Sequence, residues 1–394
     1  MPDSHAYDVG AGVGDILRSY VDRGAIAGAV ALVARDDSVH VETAGSLSLG
    51  GEAPMRRDSI FRILSMTKPI TAAAAMIMVE ERLIALEDAV DRWLPELANR
   101  RVLRGMDSPL DDTVPARRPI TLEDLLTLRL GLGAVMAPAD RYPVQTAMQN
   151  LGVSPDATLI AFAPDEFMAR IGRLPLMHQP GDGWMYHTGM DILGVLIARV
   201  TGRPLGDFLH ERIFAPLGMR DTGFSVPSGS LGRLPAAYAM EGGRLEEWEP
   251  AGGGSYARPP LFPSELVSTV DDYLAFARML LADGRGSHGQ LLSAQSVRRM
   301  MTDHITAEQK AVSPFFPGFW TRQGWGYGGA VTTAPGGVSA PGSFGWMGGL
   351  GTSVVIDPVA RMTVIVMSQR LMRGPDDAGL HVEVQGCALG QRSA

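Results

Sequence analysis

Ser65 and Lys68 stand three residues apart, a spacing that puts a hydroxyl and an amine on one helical face with Cβ atoms about 5–6 Å apart. A serine hydroxyl is a poor nucleophile at its own pKa and needs a base beside it. Lysine can be that base where its ammonium is disfavoured. The apolar run Ile70 to Val79 predicts burial that lowers the Lys68 pKa. A nucleophile near a helix start also gains from backbone N–H groups that favour negative charge. The chain has 24 serines but only two lysines, Lys68 and Lys310. Scattered at random, these would give about 0.1 Ser-x-x-Lys pairs, so the match carries weight. The remaining basic residues are arginines, which do not deprotonate. The plainer reading, a surface lysine beside a capping serine, fits the apolar surroundings poorly.

Two further segments supply chemistry that suits such a pair. Pro180-Gly181-Asp182-Gly183-Trp184-Met185-Tyr186-His187-Thr188 is a turn that delivers a phenol just ahead of a helix. Beside Lys68, Tyr186 could share the proton and pass it to a leaving group; without that neighbour it reads as a tyrosine packing a turn. Ser343-Phe344-Gly345-Trp346-Met347-Gly348-Gly349-Leu350-Gly351 precedes a strand beginning at Thr352, and its glycines permit close backbone approach by a ligand. A free N–H there, opposite that of Ser65, makes a two-donor oxyanion hole. Gly-rich turns are common, so this segment has meaning only with the other two. A rival arrangement uses His187 as base and Asp182 as its orienter, and ranks well below the lysine. There is no Gly-x-Ser-x-Gly elbow. With no His-Glu-x-x-His and a single cysteine, Cys387, neither metal nor cofactor is expected. Gly10-Ala11-Gly12-Val13-Gly14 lacks the dinucleotide-binding spacing and reads as a loop entering a helix.

The elements that must hold these residues are partly legible. Val9 to Arg23 has helical periodicity and stops at Gly24. Ala25 to Ala34 reads as a buried strand, Arg35-Asp36-Asp37-Ser38 as a turn, and Val39 to Ala44 as the returning strand. Thr352 to Ile356 and Met362 to Met367 form a second hairpin, with a closing helix from Asp376. Thr67 to Leu83 is a buried helix with Pro69 in its first turn, and Gly189 to Val200 is another. The stretch from Pro335 to Gly351 reads as loop. Strands at both ends with a helical middle predict one antiparallel sheet assembled from the two chain ends.

Across 394 residues, 45% are apolar and 20% charged, an ordinary globular balance with ample core material. A net charge of −8 without an arginine stripe argues against nucleic acid. No apolar run is long enough to span a bilayer. The segment Met1 to Asp8 lacks the basic and apolar regions of a secretory leader, and the expectation is a cytoplasmic protein. Oligomeric state has no signature here.

Together these three segments resemble the serine β-lactamase and penicillin-binding-protein superfamily, and within it the class C β-lactamase-like carboxylesterases (family VIII esterases). Ser65-x-x-Lys68 matches the first motif, Tyr186 the tyrosine of the second, and Trp346-Met347-Gly348 the third. Pro216 to Thr222 and Ser268 to Tyr273 are similar to connecting segments, so the likeness runs along most of the chain. It implies a fold class of α/β, of the α+β type: an antiparallel sheet flanked by helices plus an all-helical region. Residues 1–85 and 265–394 would form a discontinuous α/β domain and 86–264 the mainly helical region, with the site in the cleft between them. It also implies Ser65 as acyl-enzyme nucleophile, Lys68 and Tyr186 as general base and acid, and the Ser65 and Gly349 N–H groups as oxyanion donors. Trp346, Met347, Gly348, His187 and Thr188 would contact substrate. Where relatives carry a cationic or hydrogen-bonding residue for a substrate carboxylate, this chain has Trp346. Where they carry Tyr-x-Asn, it has Tyr186-His187-Thr188, and Leu128-Arg129-Leu130-Gly131 replaces His-Thr-Ser-Gly. The first two departures favour a small neutral ester over a β-lactam or peptide end. A β-lactamase or D-alanyl peptidase, an acyltransferase using the same residues, and a catalytically silent interaction module remain the alternatives.

Overall fold

β1 (Gly28–Arg35) is buried along its whole length except at Arg35, as a strand covered on both faces must be. Ala29, Ala31 and Val33 face one side, while Val30, Leu32 and Ala34 face the other. The computed structural model describes residues 9–155 and 159–390; Met1 to Asp8, read above for a leader, lies outside them. After the turn at Asp36, a non-glycine residue with φ of 49°, β2 (Ser38–Gly45) returns antiparallel with Ala29 opposite Ala44. The other edge of β1 is taken by a strand from the far end of the chain.

That partner belongs to a run of strands late in the sequence. β3 (Phe61–Leu64) and β4 (Leu266–Ser268) form a separate two-stranded pair. β5 (Gln323–Trp325), β6 (Ala330–Thr332), β7 (Phe344–Gly348), β8 (Thr352–Asp357) and β9 (Met362–Ser368) then complete the main sheet. Its order is β5-β6-β7-β8-β9-β1-β2, every neighbouring pair antiparallel. The sheet is thus drawn from both ends of the chain. The expectation of loop across Pro335 to Gly351 is corrected at β7, which pairs with β8 from Phe344–Ile356 to Gly348–Thr352. Glycines hid the strand, but Phe344 buries into the core and β8 supplies the ladder.

Helices cover both faces. α1 (Val9–Asp22) and α5 (Gly379–Ala388) lie behind the sheet, with Val13, Leu17, Leu380 and Val384 against Ala29, Ala31, Val364 and Val366. On the front, α2 (Thr67–Glu80) is buried at every residue from Thr67 to Met78. α3 (Thr188–Thr201) packs on α2 and ends at Gly202, whose φ of 65° gives the left-handed stop. α4 (Val270–Leu281) begins on the Thr269 cap. The middle of the chain also carries two short ribbons unannounced by the sequence, Arg101–Leu103 with Thr113–Pro115 and Ala237–Glu241 with Arg244–Glu249. Among the described residues no helix is long and apolar enough to cross a membrane.

The rear layer contains a buried titratable group. His381 on α5 shares a 2.8 Å hydrogen bond with Ser353 on β8. Burial, reinforced by Arg370, pushes its pKa from 6.5 to about 4. A histidine neutral in the fold and basic in the unfolded chain stabilises the protein above pH 6.5, and that stability is lost as pH falls toward 4. The expected loss over this window is about 3 kcal/mol. Urea unfolding at pH 7, 5.5 and 4 should show a steeper decline for the parent than for His381→Gln. Equal slopes would remove His381 as the cause.

Candidate active site

β3 ends on Leu64, whose φ of 39° lies in the left-handed region. A branched side chain in that conformation stores strain, and here it turns the chain from strand into helix at Ser65. Two contacts pin the start of α2: Tyr273 Oη donates to the Met66 carbonyl at 2.8 Å, and Thr67 Oγ1 accepts from the Leu266 N–H at 2.9 Å. Ser65 and Lys68 are both buried, and Lys68 Nζ donates to Ser65 Oγ at 2.9 Å.

The surroundings of Lys68 are not those its sequence neighbours suggest. Glu265 Oε1 stands 3.5 Å from Nζ, and the Tyr186 ring centre 5.2 Å. Burial pushes the Lys68 pKa down, but Glu265, Tyr186 and Asp191 outweigh it, and the ammonium is held above the ordinary lysine value. The expected lowering is therefore corrected. Both carboxylates arrive from other segments of the chain.

Tyr186 is set by the backbone of 128–134. Met185 N–H donates to the Leu128 carbonyl at 2.9 Å, and Ala134 N–H to the Tyr186 carbonyl at 2.8 Å. Gly181 N–H donates to the Arg129 carbonyl at 2.8 Å. The segment Leu128-Arg129-Leu130-Gly131 thus acts as a main-chain cradle, with the Arg129 guanidinium turned to Thr127 Oγ1. The phenol oxygen of Tyr186 accepts from Trp346 Nε1 at 2.6 Å. Trp346 was expected to contact substrate; its ring does line the cavity, and its indole N–H is taken up by Tyr186.

The third segment approaches Ser65 from β7. A Cβ on Gly348 would lie 2.1 Å from the Ile63 carbonyl, so that glycine lets β7 press against β3. Gly348 and Thr188 do not line the cavity, which corrects their assignment to substrate contact. Thr188 is 1% exposed, and its hydroxyl has no partner among the described residues. Gly349 does line the cavity, beside Leu64. Among the described residues, no acceptor takes the N–H of Ser65 or of Gly349. β6 pairs with β7 only at Phe344 and Gly345, leaving the Trp346–Gly349 edge open on that side.

His187 lies at φ 85° and ψ −74° with Nε2 3.2 Å from Asp191 Oδ2. Asp182 pairs with Arg117, so the rival His187–Asp182 arrangement is not formed. The cavity holds about 760 Å³, within the range of small-molecule sites. Trp346, Met347, Tyr186 and His187 line it, with Phe315, Phe316 and Phe319 forming an aromatic wall. Sequence reasoning missed that wall, Glu265 and Asp191. The signal for Asp191 was a lone acid in an otherwise apolar helix; for Glu265 there was none.

Comparison with known proteins gives a consistent picture. The family profile described as Beta-lactamase matches residues 13–385. An uncharacterized protein of Mycobacterium tuberculosis (strain CDC 1551 / Oshkosh) is 39% identical over 364 residues, covering 90% of this chain and 88% of that protein. Esterase EstB of Burkholderia gladioli is 31% identical over 376 residues, covering 89% and 87%. Among solved structures, EstCE1, a hydrolase with promiscuous acyltransferase activity, superposes with a TM-score of 0.80 at 24% identity, covering 97% of this chain and 98% of that one.

Proposed function

Because this chain belongs to the beta-lactamase family, we propose that it cleaves carboxylic esters of neutral substrates through an acyl-enzyme on Ser65. The observation that carries this reading is the 2.9 Å contact from Lys68 Nζ to the Oγ of Ser65, which lines a largely apolar cavity. In its amine form Lys68 takes the Ser65 proton as Oγ attacks the ester carbonyl. The Ser65 and Gly349 N–H groups receive the oxyanion. Tyr186 then gives its proton to the departing alkoxide and is reprotonated by the Lys68 ammonium. Water repeats the sequence against the acyl-enzyme and restores Ser65.

Substrate charge is limited by what lines the cavity. Glu265 and Asp191 present carboxylates, and the Trp346 donor is engaged with Tyr186. Two arginines also line it, Arg322 and Arg373, the latter paired with Asp377. An anionic β-lactam would bring a carboxylate against acids, at a cost of several kcal/mol when left unpaired. The relation to esterase EstB supports the same choice.

The test is a substrate panel combined with active-site labelling. A fluorophosphonate should label Ser65 stoichiometrically, which a binding module would not allow. kcat/KM for p-nitrophenyl butyrate should exceed that for a chromogenic cephalosporin by about 100-fold or more. Equal efficiency on both would replace the esterase reading with a β-lactamase.

A further inference from the structure

Glu265 takes no part in the steps above, yet its carboxylate sits 3.5 Å from the lysine that drives them. Its position is dictated by strand pairing. β3 and β4 pair with Leu64 opposite Leu266, and the Leu266 N–H is tied to Thr67, so the preceding residue is delivered beside Ser65. The Glu265 side chain is 9% exposed and, among the described residues, its Oε2 has no hydrogen-bond partner. The hydroxyl of Tyr256, likewise buried, has none either, and beyond it Arg62 is ion-paired to Glu249 at 2.6 Å.

Such an acid is a poor stabiliser. Removing two charges from water costs about as much as their attraction returns, and an unsatisfied oxygen adds to the deficit. Its usefulness lies in what it does to its partner. We propose that Glu265 is a positioning residue acting through Lys68: its carboxylate holds the ammonium against Ser65 and sets the pH at which that lysine becomes a base. This rests on the acyl-enzyme reading above.

The charged and titratable groups facing Lys68 come from each element packed against it. Ser65 precedes α2, Tyr186 lies on the turn before α3, Asp191 is on α3 with His187 as its partner, and Glu265 leads into β4. Burial acts to strip the proton and the anions to retain it. Glu265 makes the shortest of the carboxylate contacts and is the strongest of the groups that hold the proton. Removing its charge must let the free amine appear at lower pH.

The experiment is the pH dependence of kcat/KM for p-nitrophenyl butyrate with the full chain and its Glu265→Gln and Glu265→Asp variants. A free lysine base gives a rate that rises with pH, and the midpoint of that rise is the readout. For Glu265→Gln it should fall by about one pH unit or more. Glu265→Asp, which keeps the charge but draws it back, should fall by less. A purely structural role would lower the rate at every pH with the midpoint unmoved, and that result overturns the proposal. If Glu265→Gln fails to fold, an unmoved midpoint in Glu265→Asp overturns it equally. Parent activity that survives Ser65→Ala would sink the acyl-enzyme reading, and this inference with it. An unmoved midpoint with full dependence on Ser65 sinks the inference alone.

Discussion

Lys68→Arg should silence ester hydrolysis almost as completely as Ser65→Ala. The substitution keeps a positive charge opposite Glu265 and Asp191, so the buried acids are not left unbalanced. What it removes is the ability to deprotonate, because a guanidinium stays charged at any workable pH. Lys68→Ala would confuse these two effects, since an uncompensated buried carboxylate costs several kcal/mol on its own. The expected fall in kcat/KM for p-nitrophenyl butyrate is about 10³–10⁴-fold, at the upper end for a general base. Near-unchanged circular dichroism and urea midpoint would show that the loss is chemical. A variant keeping more than about a tenth of the parent rate would end the general-base role.

Tyr186→Phe should lower kcat by about 10²–10⁴-fold while moving KM little. The phenol oxygen already accepts the Trp346 indole N–H, so its own proton is left to donate toward the leaving group. Phenylalanine preserves the packing with Trp184, Phe315, Trp325 and Trp346. It orphans the indole N–H, at a cost of about 1–3 kcal/mol in stability. Trp346→Phe leaves the hydroxyl in place and should cost much less turnover than Tyr186→Phe. If Tyr186→Phe lost only a fewfold in kcat, or if both variants fell equally, Tyr186 would be a packing residue.

How far these residues could be read in advance depended on where their partners lie. Ser65 and Lys68 are neighbours on a single turn, and Tyr186 announces itself by a turn before a helix. The hairpins of β1 with β2 and β8 with β9 were legible because each joins long apolar runs through a short polar turn. β5, β6 and β7 were not: they are three to five residues long, with glycines at 324, 345 and 348, and their ladder comes from neighbours across the sheet. The charge on Lys68 was illegible for the same reason. Its sequence neighbours are apolar, but Asp191 and Glu265 reach it only through the tertiary fold. Gly348 illustrates a different failure, since a glycine placed for ligand access and one placed for strand-on-strand packing look alike in sequence.

The position of β1 between β2 and β9 also governs how the protein comes into being. A ribosome makes β1 and β2 early, but the second edge of β1 stays unpaired until Met362–Ser368 has left the exit tunnel. Gly349 and the β7 edge emerge only shortly before. Ser65 and Lys68 are therefore made well before Gly349, whose N–H is the second oxyanion donor in the proposed mechanism. Meanwhile the apolar edge of β1 is open to any passing strand. Pairings this distant in sequence form slowly, so expression yield should respond to translation speed and chaperone supply more than to surface substitutions.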